Sequence, residues 1–236
     1  GLAVAVAIGA SALALQLYHP DYFGGAWIFN PDPIDFHRWQ LIDIYEDENA
    51  FLVPGSNELY RFERPFRRTV EGQPLTTQRA MSLFEEVLGT HGRGGYQIGG
   101  WEAVYGPVGF DGYPVPLVDK LTGKINREVA HYMRDHGFDL RAFAEKNWPT
   151  LGPKLIGKLN FFNGDMDNFY LNLAVYRFQD FLKNTRDPHY EGRFEYGRPM
   201  QGHSWHLTDW AGMLREMAVH VQGHTPAGED PTRWNY

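Results

Sequence analysis

The chain contains no cysteine. That excludes a disulfide framework, a thiolate nucleophile and a thiolate metal site, and it leaves the redox compartment unread. Basic runs are equally scarce. Nothing longer than the Arg67-Arg68 pair occurs, and 22 Lys and Arg against 29 Asp and Glu leave a formal charge of -7. A polyanion is held by clustered cations, so no nucleic-acid partner is expected. Internal repeats and heptads are absent. The only extended apolar run is GLAVAVAIGASALALQL at residues 1–17, which carries no charge. It is about one turn short of the roughly 20 residues that span a bilayer, and it lacks the basic flank of a signal peptide. It reads as a buried strand running into a buried helix. A membrane or targeting role has a foothold only here, and with the missing cysteine this favours a periplasmic or extracellular location over a cytoplasmic one.

What is present suits a folded core. In 236 residues, 43% are hydrophobic and 15% aromatic, enough for one large domain or two small ones. GAWIF at 25–29, KLIGKLNFFNG at 154–164 and RFEYGRPM at 193–200 read as strands, each ended by Gly, Pro or Asn. Helices are expected from Thr77 to Leu88 with Met81, Phe84, Val87 and Leu88 as the buried face, over 124–136, and over 139–147 with Asp139 as cap and Pro149 as stop. Two more are expected at 167–183 and from Thr208 to Val221, the last burying Trp210, Leu214, Met217 and Val221. Residues 54–75 read as irregular, Asp43 to Glu48 as a solvated acidic turn, and the glycine-dense 89–116 as one long ordered loop. The second half thus alternates strand and helix, the pattern of a mostly parallel α/β sheet.

Chemistry in such a sheet belongs just beyond the carboxyl ends of the strands. Two loops fall there. FFNGDMDNF offers Asp167, three residues after the glycine exit, with Asp165 as a neighbouring alternative; the bland reading of Asp167 is a helix N-cap. MQGHSWH offers His203, beside Trp205. An acid after one strand and a histidine after the next is the chain order of the last two members of a Ser…Asp/Glu…His triad. Serine is a poor nucleophile until an imidazole takes its proton, and a carboxylate fixes the imidazole tautomer.

ALALQLYHPDYFGGAW (12–27), IDIYEDENAF (42–51), NGDMDNFYLNLAVYRFQDFL (163–182) and GRPMQGHSWH (197–206) together resemble bacterial esterases of the α/β-hydrolase fold, the esterase D and enterochelin esterase group. The resemblance covers the C-terminal two-thirds of that fold. It implies an α/β-hydrolase-like sheet with helices on both faces, its first strands and one oxyanion-hole amide lying further upstream. On this expectation residues 1–59 and 151–225 form the hydrolase core, 60–150 a helical or irregular cap, and 226–236 a loose tail. It also implies a G-x-S-x-G-G elbow within residues 1–12, and here the chain departs from the family. The nucleophile position falls at Val6, and Ser11 is the only serine in the run.

The expected function is therefore a serine-type esterase acting on a small-molecule ester, with Asp167 and His203 as catalytic residues and no cofactor. The alternative is a non-catalytic binding or structural subunit on the same scaffold, completed by a partner subunit or by an N-terminal segment. A metal hydrolase using His203, His206 and Asp165 or Asp167 is the weakest reading, because HSWH lacks a helical HExxH pattern.

Overall fold

A computed structural model describes residues 2–5, 9–224, 228 and 230, with backbone only over 2–5. In chain order the elements are β1 (Leu2–Ala5), α1 (Gly9–Tyr18), β2 (Phe23–Phe29), β3 (Pro65–Arg68), β4 (Pro74–Thr77), α2 (Gln78–Leu88), α3 (Gln97–Tyr105), α4 (Arg127–Asp135), α5 (Leu140–Leu155), β5 (Leu159–Gly164), α6 (Asn172–Lys183), β6 (Arg193–Gly197) and α7 (Trp210–Gly223). The opening run is a strand followed by a helix, as its composition suggests. Most of the tail from 225 onward lies outside the described residues.

The chain divides into two compact units: residues 1–32, 144–167 and 175–236 in the first, 33–143 and 168–174 in the second. Residues 33–59, expected with the sheet, therefore group with the second unit.

The first unit is an α/β layer. Its sheet has the order β1-β2-β5-β6, and all three pairings are parallel. Neighbouring residues on a strand face opposite ways, and β5 uses this to bury both faces. Phe162 packs with Trp27, Phe29, Met213 and Met217, so α7 covers that side. Phe161 meets Phe178 of α6 at 5.4 Å on the other. Buried on both faces, the strand reads as the near-continuous apolar run LNFF.

Inside the second unit, Phe36, Trp39, Phe51 and Trp101 join Val129 and Met133 of α4 in a separate core. The β3–β4 pair is an antiparallel hairpin in the stretch expected to be irregular. Its turn uses Gly72 at φ 93, a conformation that L side chains avoid. The acidic turn is less solvated than expected, because Asp47 pairs at 2.7 Å with Arg64, which is buried.

Several expectations are corrected. The glycine-dense loop contains α3, whose Gly99–Gly100 pair is poor helix sequence. The helix forms because Ile98 and Trp101 are buried and the Glu85 carboxylate accepts the Ile98 and Gly99 amides at 2.6 and 2.9 Å. Asp139 does cap α5, accepting Ala142 N at 3.0 Å, but the helix runs through Pro149 and Pro153. Both prolines face solvent, where freed carbonyls reach water, while Trp148, Leu151 and Leu155 are buried on the opposite side. On α2 the expected burial is inverted: Val87 is 80% exposed, and Ser82 and Glu85 are buried. On α7, Met213 and Met217 are buried, whereas Trp210 and Leu214 are exposed.

Candidate functional site

The site lies in the first unit, where β2, β5 and β6 end on the same edge. Parallel strands leave their last carbonyls and the loops that follow pointing one way, so side chains distant in sequence converge there. β5 ends at Gly164, and the turn Asp165-Met166-Asp167 follows. β6 ends at Gly197, and the chain then loops through His203 to α7, which Asp209 caps by accepting Gly212 N at 2.7 Å.

Backbone bonds lace the two loops together. Asp165 N donates to Gly197 O at 3.1 Å, and Met166 N donates to Gln201 O at 2.9 Å. The Asp165 carboxylate accepts Gln201 N at 2.9 Å. This approach depends on Gly164, where any Cβ would overlap the carbonyl oxygens of Gln201 and Gly202. Trp205 closes the far side by lying against Gly197.

Within this frame Nδ1 of His203 stands 2.8 Å from Oδ2 of Asp167. A carboxylate only accepts, so the bond keeps the proton on Nδ1 and leaves Nε2 as the nitrogen for proton exchange. The Asp167 side chain is fully buried, while that of His203 is 36% exposed. Burial works against the imidazolium, yet the hydrogen bond and charge of Asp167, joined by the charge of Asp32, outweigh it. The pKa of His203 is held above the ordinary histidine value.

The two residues singled out in the sequence are thus brought into contact. The N-cap reading of Asp167 is overturned, because α6 begins at Asn172 rather than near 168. Tyr170, at φ 63, keeps the intervening turn out of helical conformation. Asp165 ties down the histidine loop. His206 donates from Nδ1 to Thr208 O and packs on Trp210. Among the described residues, no group of three or more His, Asp or Glu is arranged to hold a metal ion. Ser11 is exposed in the first turn of α1, inside the helix rather than at the strand–helix turn where an elbow belongs. Val6 lies outside the described residues.

Sequence reasoning missed two residues on the loop leaving β2. Asn30 adopts φ 39 and bonds to both of these loops, and Asp32 contributes charge to His203. Their signal is NPDP, a polar residue and two prolines directly after an apolar strand, a strand exit as legible as the other two.

No helix among the described residues is long and apolar enough to cross a membrane. Comparison with protein-family models, with curated proteins and with solved structures returned no match.

Proposed function

We propose that the chain is an acyl hydrolase of the α/β-hydrolase kind, acting on a small-molecule ester, with His203 as the proton-transferring base and Asp167 as the residue that orients it. The observation that carries this reading is the 2.8 Å bond between a buried carboxylate and a part-exposed imidazole at the carboxyl edge of a parallel sheet. In such a reaction Nε2 of His203 takes the proton from an attacking hydroxyl as its oxygen bonds to the ester carbonyl carbon. The same proton then passes to the departing alkoxide as the C–O bond breaks. Between those events the ring is an imidazolium, and the Asp167 charge stabilises that form most. A pKa above the ordinary value suits a group that must hold the proton in the intermediate.

A second reading, a non-catalytic subunit on the same scaffold, is favoured by one specific observation. Position 6, where the family resemblance puts the nucleophile, is valine. One experiment separates the two. A fluorophosphonate probe is incubated with the protein, the modified peptide is mapped, and hydrolysis of p-nitrophenyl esters is followed in parallel. Turnover with labelling of a serine, blocked by His203→Gln, is expected for the hydrolase and identifies its nucleophile. Neither turnover nor labelling in the folded protein would favour the binding subunit.

A further inference from the structure

Asn30 stands where the exits of three strands meet, and each of its polar groups reaches a different part of the site. Its backbone N–H donates to Phe162 O at 3.0 Å, which anchors it to β5. Its Oδ1 accepts Gly164 N at 3.3 Å, three residues before Asp167. Its Nδ2 donates to Trp205 O at 3.2 Å, two residues after His203. One amide group therefore spans from the carboxylate-bearing turn to the imidazole-bearing loop. The backbone at Asn30 is left-handed, at φ 39. Asparagine tolerates that region better than most side chains, so the sequence puts an uncommon conformation and a bifunctional side chain at the same point. Pro31 and Asp32 follow immediately. Pro31 is buried beside Gly9, and Gly9 has no room for a Cβ against Phe29 O and Pro31. The loop leaving β2 is thereby held from both sides, and a strut on it has a fixed base.

We propose that Asn30 is a positioning residue: its side-chain amide sets the separation between the Asp167 turn and the His203 loop, and so the Asp167–His203 hydrogen bond. Removing the strut leaves the lacing through Asp165, Met166 and Gln201 intact. The histidine loop then stays attached at its start but loses the hydrogen bond to Trp205 O, so that beyond His203 it is held by the packing of the Trp205 ring. The ring drifts relative to a carboxylate that cannot follow, because Asp167 is fully buried.

The catalytic meaning of this inference rests on the reading of His203 as a base, but its test reads the hydrogen bond itself. Asn30→Gly removes the amide and suits the left-handed backbone. The low-field Nδ1–H proton of His203 is observed by NMR in both proteins and assigned by its loss in His203→Gln. The His203 titration is followed in the same samples, with Asp32 and Asp167 as the charges acting on it. In Asn30→Gly the Nδ1–H signal is expected to broaden or vanish, and the His203 pKa to fall toward the ordinary value, with an unchanged circular dichroism spectrum. Asn30→Ser, too short to reach both partners, should behave the same way. An Nδ1–H signal and titration identical to wild type in either folded variant would overturn the proposal. Loss of the fold in both variants would also overturn it, by making Asn30 a determinant of the sheet. Ester turnover is not needed for any of these outcomes, so failure of the hydrolase reading shows separately, as absent activity with the Nδ1–H behaviour intact.

Discussion

At the scale of single residues, the decisive asymmetry is that Asp167 is wholly buried and His203 is not. Burial of an unpaired carboxylate is costly, whereas a paired one is held in place by its partner. His203→Ala would remove the donor to Asp167 Oδ2, which makes His203→Gln the cleaner probe of function, since its amide can still donate. Asp167→Asn tests the electrostatics. Its carboxamide lacks the charge that favours the imidazolium, and burial, the largest influence on the ring, is then opposed by less negative charge, so the His203 pKa should fall well below its wild-type value, as read by NMR titration. The stability effect has a definite sign. Because the folded pKa of His203 is raised, its stabilising contribution is complete below the unfolded value and is lost as pH climbs through the folded one. Denaturation of wild type and Asp167→Asn should therefore differ most on the acid side of neutrality, and the gap should shrink as pH rises through the folded pKa. A constant gap would place the effect in packing instead.

At the scale of elements, α2 shows how a periodic pattern misleads. Phe84, Val87 and Leu88 carry the apolar period, yet they are exposed, and the buried positions are Gln78, Ser82 and Glu85. Gln78 Nε2 donates to Gln40 Oε1 at 2.7 Å, and Glu85 accepts the first amides of α3. The face is chosen by polar ties to other parts of its unit, which period counting does not weigh. Glu85→Ala should accordingly cost about 2 kcal/mol or more, because it leaves two helix-start amides unmet and a buried hole. Val87→Gln should stay within about 0.5 kcal/mol. Chemical denaturation of the two variants checks the order, and the reverse order would restore the apolar face as the buried one. The same physics explains the other differences. Strand-to-loop exits at Gly164 and Gly197 are local events, set by an apolar run and a residue without a Cβ, so Asp167 and His203 could be read from the chain. Whether α5 continues past Pro149 depends on what Trp148 and Leu151 bury against, and whether α3 forms depends on a carboxylate 13 residues away. Neither cause is local. Asn30 is intermediate: its strand exit is visible, but its two long-range side-chain bonds are not.

At the scale of the whole molecule, the first unit is a layered sheet whose central strand is buried on both sides and whose carboxyl edge gathers Asn30, Asp167 and His203. Stability and site depend on the same strand, since β5 carries Phe161 and Phe162 in its interior and Gly164 at its end. Phe161→Ala should cost about 3–5 kcal/mol, seen as a lowered denaturation midpoint, and it should reduce the fraction of folded sites rather than alter the His203 pKa in those that remain. The charge balance of -7 and the scarcity of clustered cations disfavour a polyanionic ligand.

The role proposed for His203 is proton transfer in ester hydrolysis, with Asp167 as its orienting partner. Its most direct test is the pH dependence of kcat/KM for p-nitrophenyl acetate, measured on wild type and His203→Gln with fold confirmed for both. The rate should rise as His203 loses its proton, with a midpoint above the ordinary histidine value, and His203→Gln should lower it by about 10²–10⁴-fold. Equal rates in the two proteins, or a profile flat across the titration of His203, would contradict it.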